Sequence, residues 1–177
     1  MTDVILVDKN DHEIGVEEKI KAHELGKLHR AFSIFVFNSK KELMLQQRAK
    51  SKYHSGGLWS NTVCSHPRSG EDIKITVHKR LQEEMGFDCE LKEIFSVRYN
   101  VKFSDGLSEN EISHVFIGSF DDDPVMNPEE ADDWQWITME DLKKDIENNR
   151  GKYTLWFLEI LPKMINYLKE NPIKLSK

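Results

Sequence analysis

Two short segments place reactive side chains at matching intervals. In Asn61-Thr-Val-Cys64-Ser-His66-Pro67 a thiol and an imidazole stand two residues apart, and in Ser108-Glu109-Asn110-Glu111-Ile112 two carboxylates do the same. Residues i and i+2 of an extended chain project to one side. Cys64 and His66 therefore share a side, as do Glu109 and Glu111. Pro67 biases His66 toward an extended backbone. With His23 and His29 upstream, the chain offers three imidazoles and two carboxylates to a divalent metal, with a cysteine beside it. Such a donor set suits a six-coordinate ion (manganese, magnesium or zinc) better than a tetrahedral structural zinc. The step from His23 to His29 would turn a helix by about 600°. The two cannot share a helical face, so these ligands are expected at loop or strand ends.

Other candidates read as ordinary structure. His12, His54, His78 and His114 are expected at the surface or satisfied in the core. His114 faces away from Glu109 and Glu111 by strand alternation. Cys89 serves as a small apolar filler. Lys19, Lys21, Lys27, Arg30, Arg48, Lys50 and Lys52 crowd one early stretch of a chain whose net charge is −6. The overall charge argues against general nucleic-acid binding, and the local cluster points to a small anionic ligand.

The elements that must position these residues are legible in outline. The 177 residues, 38% apolar and 32% charged, suit one folded domain spanning 1–177. No apolar run approaches a membrane span. The first residues lack a basic segment followed by a long apolar one, and the two cysteines suggest no disulfide framework, so a cytoplasmic location is expected. Strands are expected at Val4–Val7 and Glu13–Val16 around a turn, then at Ala31–Phe37 and Glu42–Arg48. Lys19–Leu28 reads as a turn of helix or a loop, Lys50–Gly57 as a loop, and Leu58–Cys64 as extended. A helix is expected over Glu71–Met85, closed by Gly86. Strands follow at Glu90–Tyr99 and Glu109–Phe120, then an acidic loop at Asp121–Glu130 and a strand at Trp134–Ile137. Thr138-Met-Glu-Asp141 is a capping box that opens a helix, and Tyr153–Glu170 is a final helix, interrupted or bent at Pro162. The order predicts an α/β (α+β) domain with a mixed sheet flanked by helices on both sides.

The helix from Glu71 carries charge where apolar residues belong. Ile73 and Val77 begin its core stripe, with Leu81 at the edge. At about 100° per residue, Arg80 and Glu84 fall close to the same line. Buried charges need partners or ions, and this helix follows directly from the Cys64–His66 segment, so a site is favoured over a partly exposed Arg80–Glu84 pair.

The same helix resembles the Nudix box, G-x5-E-x7-R-E-U-x-E-E-x-G-U. Glu71, Leu81, Glu83, Glu84, Gly86 and Phe87 match it. Ser65 replaces the glycine, Lys79 the arginine, and Arg80 the glutamate that is a main magnesium ligand in Nudix hydrolases. Ala22-His23, Leu28-His29-Arg-Ala-Phe, Gln47-Arg48-Ala, Trp59-Ser-Asn-Thr-Val-Cys64-Ser-His66-Pro, Arg98-Tyr99, Glu109-Asn-Glu111 and Trp156 extend the likeness over roughly Val4–Lys169. Together they resemble the metal-dependent, Nudix-fold (type 1) isopentenyl-diphosphate Δ-isomerases.

The resemblance implies Cys64 and Glu111 as catalytic residues on opposite faces of the substrate, with Tyr99 assisting the proton transfers. It implies one divalent ion (Mn2+ or Zn2+) on His23, His29, His66, Glu109 and Glu111. A Mg2+ shared by Glu84 and the diphosphate would be the second. Lys19, Arg48, Lys52 and Arg80 would contact the diphosphate, and Trp156 would face the carbon skeleton. The partner implied is a small prenyl diphosphate, with neither nucleic acid nor membrane. The chemistry is coherent. A thiol and a carboxylate can act as acid and base on separate faces, and an indole face stabilises a carbocation. Two other functions remain open to the sequence: a Nudix hydrolase, disfavoured by Arg80, and a non-catalytic diphosphate or metal sensor.

Overall fold

The computed structural model describes residues 3–172. Among these, nine strands form one mixed sheet and four helices pack around it. Strands β1 (Asp3–Val7) and β2 (Glu13–Glu18) form a hairpin, and α1 (Lys19–Glu24) leads into β3 (Leu28–Phe37). Then come β4 (Leu43–Arg48), β5 (Trp59–Ser60), β6 (Val63–Ser65) and α2 (Ile73–Met85). The chain continues through β7 (Leu91–Lys102), β8 (Ser108–Ser119), β9 (Ala131–Ile137), α3 (Met139–Asn149) and α4 (Leu155–Glu170).

Strand β3 is the axis. Its apolar run is buried on both faces because helices cover both. Phe32, Ile34 and Val36 pack with Met44, Val63 and Phe116 against Val77, Leu81 and Met85 of α2. Phe35 and Phe37 pack with Leu45 and Val115 against Phe157, Ile160 and Leu161 of α4. Each such side chain stabilises the fold by roughly 1.5–3 kcal/mol relative to exposure.

Strand pairing carries the reactive residues across the sheet. Strand β8 lies parallel to β3 with His29 opposite Glu111, and antiparallel to β7 with Glu111 opposite Tyr99. Strand β6 lies antiparallel to β3 with Cys64 opposite Ser33. Four strands thus deliver Cys64, His29, Glu111 and Tyr99 to one region.

Several local expectations change. The stretch from Lys19 is helical to Glu24, one of its two expected forms, and Glu18 caps its start by accepting from the Lys21 amide at 2.9 Å. His23 is therefore on a short helix instead of at a loop or strand end, while His29 lies at the start of β3, as expected. The extended stretch before Cys64 is broken at Asn61 and Thr62, which are fully buried. Their side chains replace the ladder there. Thr62 Oγ1 accepts from the Val36 amide and donates to the Met44 carbonyl, and Asn61 Nδ2 donates to the carbonyls of Ile34 and Val63. Helix α2 begins at Ile73 with Asp72 as its cap, so Glu71 precedes it. Gly86 ends it in the left-handed region at φ 76°, where a Cβ would stand 2.2 Å from the Val125 carbonyl oxygen. Helix α4 begins at Leu155 and runs through Pro162 without interruption.

Candidate active site

Helix α1 places Lys19 and His23 one turn apart. The turn after it is pinned by β8, as Ser108 Oγ donates to the His23 carbonyl and Asn110 Nδ2 to the Gly26 carbonyl. His29 Nδ1 lies 2.8 Å from the Lys27 carbonyl oxygen. A carbonyl can only accept, so Nδ1 carries the proton and Nε2 presents its lone pair inward. That lone pair lies 3.2 Å from Glu111 Oε1 and 3.2 Å from His23 Nε2. His66 Nε2 lies 2.9 Å from the same Glu111 oxygen. Ligand atoms of His23, His29, His66 and Glu111 all fall within 4.8 Å of one another. Converging lone pairs of this kind repel unless a cation sits among them, and the residues fit a divalent ion. Glu109, expected as a fifth ligand, is not in that group: its ligand atom lies within 4.8 Å of those of His23 and His54 instead, and its Oε2 is buried without a hydrogen-bond partner.

The protonation states suit ligands. Burial, with the charge of neighbouring groups, pushes His23 down to about 3 and His66 down to about 4, so both imidazoles are neutral. Burial would raise Glu111, but the influence of the neighbouring His66 and His29 rings outweighs it and holds its carboxyl well below the usual range. Burial and the neighbouring Glu111 charge hold Glu109 well above that range. A bound cation would reverse that penalty.

Glu111 Oε2 accepts from the Tyr99 hydroxyl. Cys64 Sγ lies 3.0 Å from Ser33 Oγ and 3.5 Å from Asn61 Oδ1, and burial pushes its thiol up to about 12. The sulfur thus holds its proton while Glu111 is ionised. Cys64, Tyr99, Glu109, Glu111, His54 and Trp156 line one chamber of about 30 Å3. Trp156 is 2% exposed, donates from Nε1 to Ser60 Oγ at 2.9 Å, and has the Arg48 guanidinium 5.0 Å from its ring centroid.

The chamber adjoins a cavity of about 310 Å3, with Lys19, Arg48, Cys64 and His66 lining both. Lys52, Arg80 and Glu84 line the larger one. Burial, with Arg48 nearby, lowers the pKa of Lys19. The less favoured alternative, an i, i+4 pair of Arg80 and Glu84, is present, although both residues also line this cavity. Arg80 Nη2 lies 2.6 Å from Glu84 Oε1, and Gln46 donates to Glu84 Oε2 at 3.1 Å. Burial raises the pKa of Glu84 despite the arginine. Glu84, Glu83, Glu71 and Glu130 give this cavity oxygen donors of the kind Mg2+ takes.

Sequence reasoning missed three participants. His54 is buried, within its expected surface-or-core role, but it also lines the chamber with Nε2 3.3 Å from Glu109 Oε1. Glu130, from the acidic loop, binds Lys52 and lies 3.3 Å from Arg80. Ser33 bridges Cys64 and Ser113. None carried a signal, because each becomes reactive only through a neighbour remote in sequence. His114 does face away, with its nitrogens on Glu93 and Asp11, and Cys89 packs beside the α2 core.

Residues 27–157 match the NUDIX domain family. The fold is similar to that of a MutT protein from Methanosarcina mazei (TM-score 0.63, 19% identity, 82% of this chain and 96% of that one). It is also similar to the NUDIX domain of Shewanella oneidensis NrtR (TM-score 0.59, 15% identity, 81% and 88%). Fold and site together define a Nudix-fold protein whose box carries an arginine in place of a glutamate. Sequence similarity goes further. The chain is 52% identical to isopentenyl-diphosphate Delta-isomerase 2 of Aromatoleum aromaticum over 163 residues, covering 92% of this chain and 86% of the relative. It is 48% identical to isopentenyl-diphosphate Delta-isomerase 1 of the same organism over 173 residues, covering 98% of both. The chain belongs to the isopentenyl-diphosphate Delta-isomerase family.

Proposed function

We propose that the protein interconverts isopentenyl and dimethylallyl diphosphate. The observation that carries this reading is the placement of Cys64 and Glu111 on one small chamber that adjoins a basic cavity. The diphosphate lies among Lys19, Arg48, Lys52 and Arg80, where the arginines offer planar forks and the lysines point charges. The five-carbon tail points from that cavity toward the chamber, where sulfur and carboxylate face it.

The reaction adds a proton at C4 of the alkene, leaves a tertiary cation at C3, and removes a proton from C2. Cys64 and Glu111 exchange these two protons with the substrate, and Tyr99 holds the Glu111 oxygen that turns toward β7. Burial pushes the Cys64 thiol up to about 12, which favours its protonated form. Trp156 presents its ring to the cation, and its burial excludes water that would capture it.

His23, His29, His66 and Glu111, with Glu109, would hold a divalent ion, and Glu84 a magnesium at the diphosphate. When bound, the first would fix and tune the Glu111 carboxylate and the second would neutralise phosphate charge. No described helix is long and apolar enough to cross a membrane.

The decisive experiment incubates isopentenyl diphosphate with the protein and divalent ions in deuterated water. Dimethylallyl diphosphate carrying deuterium is expected, without enzymatic phosphate release. Phosphate release with no isomer formed would instead indicate a hydrolase, and binding without turnover a sensor.

A further inference from the structure

His54 sits in the Lys50–Gly57 loop, yet its side chain is turned inward and only 4% exposed. Its ring stacks on Phe103 at 4.7 Å and meets Trp156 edge-on at 5.6 Å. Both ring nitrogens have a polar neighbour. Nδ1 lies 3.2 Å from Ser55 Oγ, and Nε2 lies 3.3 Å from Glu109 Oε1. When the Ser55 hydroxyl donates to Nδ1, the proton of the neutral ring is on Nε2, which faces the Glu109 carboxyl at 3.3 Å without forming an aligned hydrogen bond. The loop is built to hold this pose. Ser55 adopts φ 53°, a left-handed conformation uncommon for a residue other than glycine, and a Cβ on Gly56 would stand 2.7 Å from the Lys50 carbonyl oxygen.

Glu109 has the complementary pattern. One oxygen meets His54, and the other is buried with no hydrogen-bond partner. We propose that His54 is a positioning residue for Glu109: it holds one carboxylate oxygen so that the unpartnered one is available as a fifth donor beside His23, His29, His66 and Glu111. The inference rests on reading that cluster as a metal site.

A second ion on His23, His54 and Glu109 is the competing arrangement, since their ligand atoms also lie within 4.8 Å of one another. His23 argues against it. Its Nε2 is turned to His29, and its Nδ1 lies 3.0 Å from the Tyr53 hydroxyl, so no further nitrogen remains.

The test measures Mn2+ affinity of the full chain by titration calorimetry and electron paramagnetic resonance, with no substrate present. His54→Ala should weaken binding by about 10–100-fold, the usual effect of losing such an outer partner. His54→Gln, whose amide can still donate to Glu109, should recover most of the loss. In a Glu109→Gln background, His54→Ala should add nothing. Unchanged affinity in His54→Ala would overturn the proposal. So would a glutamine variant as weak as the alanine one, or losses that add in the double variant. Circular dichroism establishes that each variant is folded, and Glu109→Gln tests the coupling should His54→Ala unfold. Because the readout is metal binding, failure here is distinguishable from failure of the isomerase reading, which the deuterium experiment tests.

Discussion

Tyr99→Phe is the cleanest perturbation of the site. It removes one oxygen and leaves the buried ring in place opposite Glu111. The Glu111 carboxylate is 3% exposed, and its Oε2 would lose the Tyr99 donor while Oε1 kept His29 and His66. A hydrogen bond to a charged group contributes about 1.5–3 kcal/mol. If that contact tightens as Glu111 changes charge during turnover, the loss corresponds to about a 10–100-fold fall in kcat at roughly 1.4 kcal/mol per tenfold. Tyr99 touches no part of the diphosphate cavity, so KM should move little. The pH profile should shift as well. Glu111 has a depressed pKa, so its contribution to stability is present above the unfolded carboxylate value and lost as pH falls through the folded value. Removing the donor raises that folded value and brings the acid loss to higher pH. Steady-state kinetics by deuterium uptake and acid unfolding followed by tryptophan fluorescence measure the two effects. A folded Tyr99→Phe variant with wild-type kcat and an unmoved acid limb would refute the reasoning.

Three further outcomes follow from the geometry. Arg80→Glu restores the Nudix-box carboxylate but strands buried Glu84 beside two other acids, Glu83 and Glu130; breaking such a pair costs about 3 kcal/mol or more, so thermal unfolding should drop and diphosphate KM should rise. Gly86→Ala forces a Cβ into the Val125 carbonyl in a left-handed turn and should destabilise by more than about 1 kcal/mol in urea unfolding, with the isomerase site otherwise intact. With its thiol held up at about 12, Cys64 should alkylate with iodoacetamide at pH 8 far more slowly than free cysteine, and labelling at the free-thiol rate would contradict a buried, proton-bearing sulfur.

The sequence by itself determined the central elements and the reactive pairs. The unbroken apolar run of β3 demanded cover on both faces, and the i, i+2 spacings set Cys64 with His66 and Glu109 with Glu111. Local rules sufficed there because strand alternation and helix capping act over a few residues: Thr138 does accept from the Asp141 amide, and Gly86 does close α2. Tertiary structure alone decided which donors meet. The parallel register of β3 and β8 set His29 against Glu111, and the break at Asn61–Thr62 turned Cys64 toward Ser33. It also gave the two carboxylates different near partners, Glu111 the imidazole cluster and Glu109 His54, although both line one chamber. Residues far apart in the chain are joined by packing and strand register, and neither is encoded in the spacing of any single segment.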